Sequence, residues 1–167
     1  MANIVEKAEK ILNKIVDIQQ FISNMFLIFI MVLITLDVAG RNFLNKPLKG
    51  TYEMTELGAA LLVFFALAIT HRHGDHITID FLVDRLSTKA KHVLNGVIEI
   101  VITFTLLFMA RHIFDNGLRF MERKTTTSDL ALSIHPFLFV ISFTLVIFAL
   151  TAIFKAITHF SLVVNKK

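Results

Sequence analysis

Residues 130–154 read LALSIHPFLFVISFTLVIFALTAIF, with no Asp, Glu, Lys or Arg before Lys155 closes the run. A helix crosses the hydrocarbon core of a bilayer, about 30 Å thick, with roughly 20 mostly apolar residues. The stretch is long enough, and its one helix breaker, Pro136, falls in the first turns, where proline is tolerated. Working back along the chain, 92–110 is interrupted only by Glu99 and closed by Arg111. The window 57–70 is clean but short, and reaches spanning length only if extended back to Tyr52, which brings Glu53 and Glu56 into its first turns. Residues 18–36 carry no charge and end at Asp37, Gly40 and Arg41. The expectation is an all-α membrane protein, one domain over 1–167, with spans at 18–40, 52–73, 91–114 and 130–155.

Composition agrees. Of the 167 residues 55% are hydrophobic and 18% charged, with a mean hydropathy of +0.70. Soluble domains run about 45–50% apolar and about 25% charged. The net charge of +4 is scattered along the chain, whereas a nucleic-acid partner would need basic residues massed on one face. No cysteine is present, which excludes disulfides, thiolate metal sites and cysteine nucleophiles. With 17 Phe, one Tyr and no Trp, the usual Trp/Tyr interfacial belt is missing. No G-x-G-x-x-G, phosphate loop or nucleophile elbow occurs, so nothing points to an enzyme.

Two stretches are helical in pattern but too polar to span. In 1–17, Ile4, Val5, Ala8, Ile11, Leu12, Ile15 and Val16 make one apolar face opposite Glu6, Lys7, Glu9, Lys10, Asn13 and Lys14. In 78–90, Ile79, Leu82, Val83 and Leu86 oppose Asp80, Asp84 and Arg85. Both are expected to be amphipathic arm helices lying in the membrane interface. Gly74 is a plausible stop for the second span and Ser87 a cap for the third helix. Ten of the basic residues fall at the termini and in the 71–91 connector, and seven in the two opposite loops. The positive-inside rule then places both termini in the cytoplasm.

His71, His73, Asp75 and His76 cluster, but His71 and His73 point to different helix faces and Arg72 repels a cation, so no metal site is expected. A membrane cytochrome would hold haem between axial histidines, yet His71, His92, His112, His135 and His159 all fall near helix ends. Asp37 and Arg41 stand four apart in the favourable order for an ion pair. Glu53 and Glu56 follow after a short loop, and Arg41 is expected to be bracketed by Asp37 and one of these glutamates. Glu99 lies about 10 Å inside the third span at ~1.5 Å per residue. With no acidic partner at depth and no broken helices, it fits a contact to a headgroup, a Ser/Thr or a partner helix better than an ion relay. A self-sufficient small transporter and a haem-binding cytochrome subunit remain as alternatives.

Several residues together resemble a family. They are Arg41-Asn42-Phe43 after the first span, Tyr52-Glu53-Met54-Thr55-Glu56-Leu57 leading into the second, the run His73-Gly74-Asp75-His76-Ile77-Thr78-Ile79-Asp80-Phe81-Leu82, and the 128–136 approach to the fourth span. The chain resembles the small, DctQ-like membrane subunit of a tripartite ATP-independent periplasmic (TRAP) transporter, most of all those of sialic-acid systems. The resemblance implies a non-catalytic scaffold, or stator, in the bacterial inner membrane, in contact with membrane lipids. Its implied partners are a large elevator-type membrane subunit, which would bind Na⁺ and an organic acid such as N-acetylneuraminate, and a periplasmic substrate-binding protein. No cofactor is implied in this chain. Asp37, Arg41, Glu53, Glu56, His76, Asp80 and Glu99 become candidates for structural ion pairs or the partner interface. Arg119, Arg123 and Lys124 become candidates for docking the binding protein.

Overall fold

The computed structural model describes residues 2–73 and 88–164. They form four helices: α1 (Ala2–Leu44), α2 (Thr51–His73), α3 (Thr88–Glu122) and α4 (His135–Val164). Each of the four contains a segment long and apolar enough to cross a membrane.

α1 corrects the first expected arm. Residues 2–17 run into the first span as one helix of 43 residues, about 64 Å long at ~1.5 Å per residue. The reason is local: Asn13 to Phe21 contains no Gly or Pro. Ending the helix there would leave backbone N–H and C=O groups unpaired near lipid. The amphipathic face is real, and Leu12 and Val16 on it are buried against the bundle. The second expected arm, 78–90, lies outside the described residues apart from its last three, which open α3. Gly74 and Ser87 also lie outside them. α3 runs on to Glu122, past the expected end of the third span at 114.

The four helices pack as a row and not as a closed bundle. α1 lies on α2, α2 on α4 and α4 on α3, with a lighter α1–α4 contact. α4 therefore sits centrally and supplies Ile141, Leu145, Ile147, Phe148, Ala149 and Ala152 to the core. Leu61, Ala68 and Ile69 of α2 and Leu106 and Ala110 of α3 meet them. Small residues let the helices approach: a Cβ on Gly96 would stand 2.8 Å from the ring of Phe160. Hydroxyls tie neighbours across the row, Ser23 donating to the Leu62 carbonyl and Ser142 to the Ala110 carbonyl, both at 2.8 Å.

Candidate functional site

The buried polar side chains gather at the two ends of the row. At the end bearing the α1–α2 and α3–α4 loops, Asp37 is buried near the foot of α1. One carboxylate oxygen accepts from Arg41 Nε at 2.8 Å, and the other accepts from the Leu48 N–H at 2.9 Å. Asp37 thus closes its own i,i+4 pair and pins the return loop. That loop turns back through Asn45 and Gly50, both with positive φ, and Thr51 donates to the Leu48 carbonyl at 3.0 Å.

Glu53 does something else. It is 7% exposed, and its carboxylate accepts from the backbone N–H of Asp129 at 2.6 Å and of Leu130 at 3.0 Å. It therefore holds the α3–α4 connector and does not bracket Arg41. Arg41 lies largely in solvent, with a side chain 60% exposed, and Glu56 is exposed on α2. The physical reason is supply: two adjacent loop N–H groups match the two oxygens of a carboxylate, whereas Arg41 already has Asp37. The connector is itself ordered, with Thr126 bridged to Ser133 and the Thr127 N–H on the Leu132 carbonyl at 2.9 Å. Arg119, Arg123 and Lys124 all lie exposed beside it.

At the end bearing the termini, side chains of the described residues join the helices. Arg72 of α2 donates through Nη2 to Asp17 at 2.6 Å and through Nη1 to the Asn13 carbonyl at 3.1 Å, both on α1. His71 Nε2 stands 2.9 Å from a carboxylate oxygen of Glu99 on α3, with both side chains buried. Lys155 of α4 donates to the His71 carbonyl. His92 and His159 face each other across α3 and α4, Nδ1 to Nδ1 at 3.3 Å. Glu99 thus meets an imidazole of α2, a partner its position in the sequence does not name. His76 and Asp80 lie outside the described residues.

Sequence reasoning missed Arg72–Asp17, His71–Glu99, Lys155 and the role of Glu53. Depth matching could have found the second: His71 ends α2 and Glu99 sits low in α3, so both lie toward the same membrane face. Arg72 and Lys155 read as ordinary helix-end cations, and nothing local marks their acceptors. Gln19, 3% exposed, was also overlooked, and neither of its amide atoms has a hydrogen-bond partner among the described residues.

The arrangement offers little to a cofactor. Among the described residues no group of three His, Cys, Asp or Glu is placed to hold a metal. His92 and His159 stand too close for an iron porphyrin between them, and His71 packs on Phe148 with ring centroids 5.0 Å apart. What both ends do is join helices.

Comparison with curated proteins yields no match. Residues 30–161, most of the chain and all but the first part of α1, match the family described as Tripartite ATP-independent periplasmic transporters, DctQ component. This is a family of transporter components and not of enzymes, and the chain, a multi-pass helical protein by its four apolar helices, belongs to it as the small component of such a transporter.

Proposed function

We propose that the chain is the fixed scaffold of a Na⁺-driven TRAP transporter that imports an organic acid, with N-acetylneuraminate the substrate we favour. On this reading a large elevator-type subunit carries the substrate and the Na⁺, a periplasmic protein delivers the substrate, and this chain binds no cofactor. It lies in the inner membrane with both termini in the cytoplasm. The observation that carries the reading is where the buried charges go. Asp37, Glu53 and Glu99 each meet a group on their own hairpin or a neighbouring helix or loop, so they stiffen the row and are not gathered around a substrate. A stator needs that property, because a moving transport domain pushes against it.

Broad apolar faces remain for the large subunit and for lipid: Phe21, Met31 and Leu36 on α1, and Phe104 and Phe108 on α3, are exposed. The full chain should co-purify with a larger membrane protein and show no uptake when reconstituted alone. Uptake by the chain alone in liposomes would overturn the proposal. The exposed Arg119, Arg123 and Lys124 are assigned to the delivery protein. Arg123→Glu should lower binding-protein-dependent uptake severalfold while leaving co-purification intact, and unchanged uptake would remove that assignment.

A further inference from the structure

Where the termini lie, α1, α2 and α4 enclose a cavity of about 350 Å³ that the scaffold reading leaves without a role. Leu12 and Phe154 form apolar walls, and Arg72, Lys155 and His159 line it together with Thr151 and Thr158. Donor supply decides what such a cavity takes. A guanidinium carries five N–H groups and an ammonium three. Arg72 commits Nη1 to the Asn13 carbonyl and Nη2 to Asp17, and Lys155 commits one proton to the His71 carbonyl, so both cations keep donors in hand. The Thr151 and Thr158 hydroxyls donate to the Phe148 and Phe154 carbonyls of their own helix, leaving only lone pairs for a ligand.

Charge points the same way. Of the carboxylates, Glu9 itself lines the cavity and is exposed, and the Asp17 side chain is 59% exposed, against 28% for Arg72. Lys155 is half-buried. Water and salt screen the exposed anions more than the half-buried cations, and low-dielectric walls focus the positive field that remains. The cavity lies at the terminal end of helices long and apolar enough to cross a membrane, beside apolar walls that a soluble anion does not need.

We infer that this cavity binds a phosphate-bearing anion, the phosphodiester of an anionic phospholipid headgroup, on Arg72 and Lys155. The inference does not rest on the scaffold reading. The test takes the full chain in detergent and counts bound lipid by native mass spectrometry, with phosphatidylglycerol, phosphatidylcholine and inorganic phosphate as separate probes. Phosphatidylglycerol should be retained at least fivefold better than phosphatidylcholine. Lys155→Gln and Arg72→Gln should each weaken retention about fivefold, the effect of one basic residue at an anionic membrane surface. Lys155→Arg, which keeps the charge, should restore it.

Asp17→Asn separates ligand binding from architecture, because it removes the ion pair to α1, keeps only the hydrogen bond to the Asn13 carbonyl, and leaves the cation in place. It should retain phosphatidylglycerol fully. Loss equal to that of Arg72→Gln would mean that Arg72 acts only by holding α1, and would overturn the inference. Equal retention of the two lipids, unaltered by Lys155→Gln, would overturn it as well. Inorganic phosphate that displaces phosphatidylglycerol at equal concentration would keep the phosphate site and overturn its assignment to lipid.

Discussion

His71 and Glu99 place an imidazole and a carboxylate 2.9 Å apart with almost no exposure. Removing one partner of such a pair strands the other in a low-dielectric interior, at a cost of about 3–5 kcal/mol, whereas replacing both with apolar residues is often neutral. Glu99→Ala and His71→Ala should therefore each lower stability by roughly 3 kcal/mol in detergent unfolding. The double variant His71→Phe with Glu99→Leu should recover most of the loss, and additive losses would show that the two do not act as a pair. Ser142, which reaches the Ala110 carbonyl across α3 and α4, is a smaller case. Ser142→Ala should cost about 0.6 kcal/mol, the average for hydrogen bonds between membrane helices. At this scale residue types were legible, and partners only where both lie within one helix. Asp37–Arg41 lies within one helix and follows from spacing, while Glu99 needed a second helix whose distance no spacing reports.

Elements are joined by single side chains. Glu53, in the first turn of α2, holds the connector between α3 and α4 through the N–H groups of Asp129 and Leu130. Glu53→Ala should release it, and amide exchange at Asp129 and Leu130 should accelerate while exchange in the middle of α4 is unchanged. Gly50 sits under the same connector at φ +75, where a Cβ would stand 2.3 Å from the Leu130 side chain. Gly50→Ala therefore meets both a left-handed backbone that disfavours a side chain and a direct clash. It should loosen the same amides. At the opposite end Arg72 binds the first part of α1 to α2, and Arg72→Ala should raise exchange over residues 2–17. Helix existence was readable from charge-free windows, because lipid leaves a spanning backbone no other way to pair its polar groups. Helix ends were less readable. The apolar and charged faces of 2–17 suggest a separate arm, but hydrogen bonding along an unbroken backbone favours continuation into the span.

As a whole the chain is an open row, α1–α2–α4–α3, with α4 at its centre. If each of the four helices crosses once, both termini lie on one side. The chain has no cysteine, so introduced thiols report cleanly. Lys7→Cys and Leu162→Cys should be labelled from the same face of sealed vesicles and Lys46→Cys from the other. Labelling of all three from one face would exclude four crossings. The open row also explains why α4 is the most apolar helix. Its inner faces meet protein, and its exposed residues Phe143, Val146 and Leu150 are apolar too, as a surface toward lipid requires.

The sequence by itself determined the number of apolar spans, the lack of cysteine, and the family resemblance matched over residues 30–161. Those features are local, resting on runs of about 20 residues and on short motifs. Only the tertiary structure decided which helices are neighbours, that Glu53 serves a loop 76 residues away, and that Arg72 and Lys155 share a cavity. The reason is that helix adjacency is set by the packing of small and large side chains across surfaces that are apolar on every side. Hydropathy is nearly the same for every such face, so it can say that a helix enters the membrane but not which helix it will lie against.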